Sequence, residues 1–206
     1  MSKNIHLHQA DLPASLDLGG LVAIDTESMG LNPQRDRLCL VQLSAGDGTA
    51  HLVQIAQNAT PPPRLAALLA DPQVEKIFHF ARADLAMLSR WIGEVAPPIF
   101  CTKIASKLAR TYTDRHGLSD LIADLLAIPL KKEQQSSDWG AAKLTPPQLQ
   151  YAANDVLYLH QLRAHLTAIL TREDRLAHAQ ACFAFLPTRA RLDLAGFPAT
   201  DIFAHH

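Results

Sequence analysis

The sequence predicts an α/β protein, a mixed five-stranded sheet flanked by helices, and three observations carry that prediction. Three short apolar runs occupy residues 21–55, separated by segments rich in Gly, Pro, Asn and Asp. Strand-like and helix-like segments then alternate. The second half of the chain is dominated by helical patterns.

The first strands are LVAIDT (21–26), LCLVQLS (38–44) and HLVQI (51–55), and MGLNPQRDR and AGDG between them supply turn chemistry. These three form an antiparallel meander. A proline-started helix, PPPRLAALLAD (61–71), leads to a fourth strand, VEKIFHF (74–80). A helix over 83–91 and a short fifth strand, PIFCT (98–102), follow and place the last two strands parallel. Helices are then expected over 102–112, 118–127, 145–170 and 172–185. Thr145 is a good N-cap, and Pro146 then falls at the first helical position, where its missing N–H costs nothing. The polar segment KKEQQSSDWGAAK (131–143) is too long for a simple turn and is a place where function is expected. The tail beyond residue 185 reads as an apolar, proline-broken coil that must pack on its own domain or on a neighbouring subunit.

With 206 residues and no internal repeat, one domain over 1–206 is the default. No apolar run approaches the roughly 20 residues that cross a bilayer. The N-terminus MSKNIHLHQADLP lacks the apolar stretch of a secretory signal, so a cytoplasmic location is expected. Cys39, Cys101 and Cys182 are odd in number and far apart, and suggest neither disulfides nor zinc. The formal net charge of −1 argues against gripping a long nucleic acid, which needs a basic excess, but not against a short one.

Asp25 and Glu27 end an apolar strand at positions i and i+2 and so project from one face. His79 and Asp84 lie where the fourth strand gives way to a helix, and Tyr151 and Asp155 share a helix face at i,i+4. Taken alone, each site reads first as an ordinary acid of its element: a solvated strand end, a carboxylate in a helix's first turn, and a surface Asp on an amphipathic helix. Together, three Asp and one Glu converging on one place repel one another unless cations compensate, and hard divalent cations prefer carboxylate oxygen.

In order and spacing, DTE (25–27), HxxxxD (79–84) and YxxxD (151–155) resemble the motifs of the DEDDy family of 3′–5′ exonucleases. The likeness is to ribonuclease D-type enzymes, and nearer still to the short nanoRNase C-type branch that degrades dinucleotides. It spans almost the whole chain, including DTESMGLNP, KEQQSSDW, YAANDVLYL and FLPTRARLDL. The resemblance implies a ribonuclease H-like fold and an exoribonuclease that releases nucleoside 5′-monophosphates. It implies two Mg²⁺ ions, with Mn²⁺ as a substitute. Asp25, Glu27 and Asp155 would bind one ion, Asp25 and Asp84 the other, and Tyr151 would orient the attacking water.

The same likeness implies short single-stranded RNA, dinucleotides above all, as partner, and a homo-oligomer, an octamer, with the tail (186–206) at a subunit interface. Thr26, Ser28, Met29, Leu31, His79, Lys103 and Lys107 are expected at the substrate, with Arg110, Arg189 and Arg191 as further candidate phosphate ligands; each of these basic residues also reads as part of a solvated basic face, and His79 as a core histidine. Met29 and Leu31 also read as core residues. Two rival readings stand beside this one: an exonuclease on longer RNA such as tRNA 3′ ends, or on DNA, and a catalytically silent nucleic-acid-binding module.

Overall fold

A computed structural model describes residues 4–129 and 137–205. The strands are β1 (Asn4–Gln9), β2 (Leu21–Ser28), β3 (Leu38–Ser44), β4 (Thr49–Gln54), β5 (Glu75–Phe78) and β6 (Ile99–Cys101). The helices are α1 (Pro63–Ala70), α2 (Ala81–Trp91), α3 (Thr102–Ala109), α4 (Leu118–Leu126), α5 (Pro146–Leu157), α6 (Leu159–Arg172) and α7 (Leu176–Leu194). The sheet runs β1-β4-β3-β2-β5-β6. β2, β3 and β4 form the expected antiparallel meander, and β5 and β6 add in parallel.

All seven residues of β3 are buried, because LCLVQLS is apolar on both faces and the strand needs cover on both. On one face α5 packs over β2, β3 and β4 with the small residues Ala152 and Ala153, which bring the helix close. Thr145 and Gln148 form a reciprocal capping box that fixes where α5 starts. This matters for the site, since α5 carries Tyr151 and Asp155.

Three expectations are corrected. The sheet has six strands, not five: β1 pairs in parallel with β4 at the edge, joined by the Gln9 to Gln54 and His8 to His51 side-chain bonds. Its apolar content is too small to announce a strand. The long helix expected over 145–170 is two helices, since the Tyr158 N–H bonds to the Val156 carbonyl, two residues back, and interrupts the ladder. The tail is not coil from residue 186. Helix α7 runs through Pro187 to Leu194 because Ala179, Phe183, Leu186 and Ala190 form a buried stripe. That stripe packs on the domain, with the Phe183 ring 4.7 Å from Phe100, and overrides the proline's tendency to end a helix.

Candidate active site

β2 delivers Asp25 and Glu27 to the face covered by α5, while Thr26 between them points the other way. The ladder to β3 slips between Glu27 and Ser28, and the Met29 N–H picks up the Arg37 carbonyl. The following loop turns at Gly30, where a Cβ would lie 2.2 Å from the Asp36 carboxylate, so a larger residue would force that side chain to move. Asp36 in turn accepts the Asn32 N–H. The loop holds Met29 half-exposed and Leu31 98% exposed, which rejects the core reading of both.

α2 begins after Phe80, which sits in the left-handed region at φ 66°, and its first turn carries the buried Asp84. Thr26 Oγ1 donates to Asp84 Oδ1 at 2.7 Å. α5 brings Tyr151 and Asp155, and the Tyr151 ring packs against the buried Trp139, centroids 6.0 Å apart and planes tilted by 40°. One carboxylate oxygen each of Asp25, Glu27 and Asp155 lies within 4.8 Å of the others. Asp84 approaches from the far side of β2, outside that group of three.

Crowding sets the electrostatics. Burial pushes the Asp25 carboxyl up to about 7, against a lowering hydrogen bond from the Thr26 backbone. Glu27 is pushed up to about 10 by burial, then by Asp25, Asp155 and Asp84. Asp84 and Asp155 are raised well above the usual range, again by burial first and neighbouring carboxylates second. Among the described residues none of the four takes part in an ion pair, so no described side-chain cation offsets the repulsion. An all-oxygen donor set of this size suits a hard divalent cation. Tyr151 is raised by burial and by Asp155, Glu27 and Asp25, and therefore keeps its proton at neutral pH.

The acids open into a cleft of two adjoining lobes of about 750 and 820 Å³. Asp25, Thr26, Ser28, Gly30, Leu31, His79 and Phe80 line both. Tyr151, Asp155 and Lys103 line the first, and Asp84, Arg82 and Asp193 the second. Thr102 donates to the Phe78 carbonyl, so its oxygen accepts from His79 Nδ1–H at 2.9 Å. His79 Nε2 is then an unprotonated acceptor, consistent with burial, then Lys103, pushing that imidazole down to about 3. The Thr26 hydroxyl is engaged by Asp84 and the Ser28 hydroxyl by the Gly30 carbonyl.

Lys103 sits 4.4 Å over the Phe80 ring, whereas Lys107 is exposed and lines neither lobe. Arg110 is buried against Asp124 and the Arg115 carbonyl, and Arg189 is bound to Asp193 and the Phe197 and Thr200 carbonyls. Both are committed to the fold. Arg191 is exposed and outside both lobes. Sequence reasoning missed Phe80, Trp139 and Asn154 as cleft residues. Ser137 and Trp139 place the end of the polar 131–143 segment at the cleft, and residues 131–136 lie outside the described ones.

A fold of this kind with clustered carboxylates defines a class, and comparison identifies it. The 3′–5′ exonuclease family profile matches residues 8–171. The chain belongs to the 3′–5′ exonuclease family. Ribonuclease D of Acidiphilium cryptum is 36% identical over 155 residues, 75% of this chain but 39% of that protein. The chain thus spans about two fifths of the length of the curated relatives it matches. The structure of Brucella melitensis NrnC bound to pGG is 54% identical, with TM-score 0.96 and all of both chains covered. Brucella melitensis NrnC with bound Mg²⁺ is 53% identical, with TM-score 0.94, covering 98% of this chain and all of that one. No helix among the described residues is long and apolar enough to cross a membrane.

Proposed function

We propose that the chain is a cytoplasmic 3′–5′ exoribonuclease acting on short RNA, dinucleotides above all, and releasing nucleoside 5′-monophosphates. The observation that carries this is the convergence of Asp25, Glu27, Asp84 and Asp155, from three separate elements, on one cleft. Asp25, Glu27 and Asp155 would hold one Mg²⁺, and Asp25 with Asp84 a second; Mn²⁺ would substitute. Such ions supply Lewis-acid stabilisation of the attacking and leaving oxygens of an in-line displacement.

The side chains do the positioning. Tyr151, buttressed by Trp139 and kept protonated, orients the attacking water by hydrogen bonding and is not a strong base. His79 Nε2 accepts from a ribose hydroxyl. Lys103 meets a phosphate oxygen, the exposed Phe80 ring stacks on a base, and Met29 and Leu31 wedge beside the terminal nucleotide together with the backbone of Thr26 and Ser28. Lys107 would act only on a substrate reaching beyond the cleft. Each lobe has the size of a small-molecule site, which suits one nucleoside on either side of the scissile bond at Asp25.

The likeness to Brucella melitensis NrnC bound to pGG supports the short-substrate reading. A single domain over 1–206 would assemble into a homo-oligomer, an octamer by that likeness, with residues 186–206 at a subunit interface. The exposed Phe197, Ile202 and Phe203 support a covered tail. Hydrolysis rates in Mg²⁺ on 5′-labelled RNA of two, five and twenty nucleotides test the substrate. A strong preference for the dimer is expected; equal rates along the series reject a dinucleotidase, and DNA of the same lengths tests the sugar.

A further inference from the structure

Away from the cleft, three of the ten histidines gather on the first and fourth strands. His6 and His8 stand at i and i+2 of β1, hence on one face, and His51 pairs in register with His6 across the β1/β4 ladder. Ring centroids are 5.3 Å apart for His6 and His51, 5.3 Å for His8 and His51, and 6.4 Å for His6 and His8. His51 aligns with Leu43 and Leu43 with Ile24, whereas Leu52 aligns with Gln42 and Gln42 with Asp25. The imidazoles therefore lie on the sheet face opposite Asp25, and three strand spacings, roughly 14 Å, separate β1 from β2.

We propose that His6, His8 and His51 form a second metal site, selective for a borderline transition dication of the Zn²⁺ class, which staples the edge strand β1 to β4. Three imidazoles on one tetrahedral ion with Zn–N bonds of about 2.0–2.1 Å place their ring centroids roughly 5 Å apart; two of the observed separations are 5.3 Å, while His6 and His8 stand 6.4 Å apart, and the nitrogens of the three rings do not yet converge on one point. His8 Nε2 and His51 Nδ1 are 3.0 Å apart and share a hydrogen bond. Two nitrogens on one such ion stand roughly 3.3 Å apart, so an ion fits where the shared proton now lies, once the donor ring takes its proton on the other nitrogen. The rings are now stacked, within 18° of parallel, and must turn about their side-chain torsions to aim at a common point; His6 is exposed on a free edge and has room to turn.

Burial first, and neighbouring histidines second, hold His8 and His51 below the usual imidazole range, which leaves them neutral and ready to ligate. Imidazole suits Zn²⁺, Ni²⁺ or Cu²⁺ and not Mg²⁺, so this site and the acidic one take different ions. β1 is an edge strand, and among the described residues its one strand partner is β4, so an ion shared by the two would tie that edge down.

The test is calorimetric titration of the full chain with Zn²⁺, in an Asp25→Asn/Asp155→Asn background that removes competition from the acidic cluster. One equivalent per chain is expected, weakened at least roughly a hundredfold when His6→Gln and His51→Gln are added. Equal Zn²⁺ binding with and without those two changes would overturn the proposal. A second readout avoids any folding defect of the variants: one equivalent of Zn²⁺ should move the imidazole NMR resonances of His6, His8 and His51 in the Asp25→Asn/Asp155→Asn chain. Unmoved resonances would equally overturn it. In the parent background His6→Gln should leave Mg²⁺-dependent dinucleotide hydrolysis unchanged.

Discussion

The Thr26 hydroxyl donates to the Asp84 carboxylate at 2.7 Å, joining residues 58 apart in sequence. Because Thr26 lies between Asp25 and Glu27 on β2 yet faces away from them, this bond sets the fourth acid against the end of the strand from the opposite side. Thr26→Val keeps the shape and deletes the bond. Loss of a hydrogen bond to a charged group, about 1.5–3 kcal/mol, is expected to lower kcat/KM by roughly ten- to a hundredfold and to raise the Mg²⁺ concentration needed for half-maximal rate. Steady-state kinetics over a Mg²⁺ series checks both.

Metal-free protein should lose stability as pH rises. Asp25 and Glu27 have folded-state values raised to about 7 and about 10, so their folding penalty is absent below about pH 4, grows as pH rises from there towards those values, and levels off above them. The Tm in EDTA is expected to fall between about pH 4 and 8, and Mg²⁺ should reverse most of that fall. Thermal melts at matched ionic strength, with and without Mg²⁺, measure it.

Tyr151→Phe removes one hydroxyl and leaves the ring on Trp139. A positioning role predicts a fall in kcat of roughly ten- to a hundredfold with KM little changed. Since Tyr151 is raised above its usual value, no alkaline fall in rate should trace to its ionisation below about pH 10.

Arg82 makes two hydrogen bonds to Asp193 and one to the Pro198 carbonyl, tying the end of α7 to the first turn of α2 beside Asp84. Arg82→Ala should cost about 1–2 kcal/mol, a fall of roughly 2–8 °C in Tm. Leu31→Ala, at a residue 98% exposed, should leave Tm within about 1 °C and raise KM for the dinucleotide several-fold. Differential scanning calorimetry with parallel kinetics separates the two effects.

Much of this was legible in the sequence, for reasons that differ by element. The strands β2, β3 and β4 are apolar runs between turn residues, and the acids of the cleft stand at spacings that fix a shared face. β1 was missed because NIHLHQ offers two apolar positions and is held by backbone pairing and side-chain bonds to β4, which only the fold supplies. α7 was expected to end at residue 185, ahead of Pro187, and runs on to Leu194 because a buried stripe outweighs a local breaker, a weight that is tertiary. The same holds for the site. Phe80 lines the cleft from the junction of β5 and α2, and Arg110 and Arg189 read as free cations until their partners appear. Neither fact has a signature in composition or spacing.

The central claim is that four carboxylates crowd together to hold divalent cations for hydrolysis. Asp25→Ala tests it most directly, by dinucleotide hydrolysis in saturating Mg²⁺ together with circular dichroism. The account predicts a native spectrum and a rate reduced by at least about a thousandfold; a folded variant that turns over at the parent rate would contradict it.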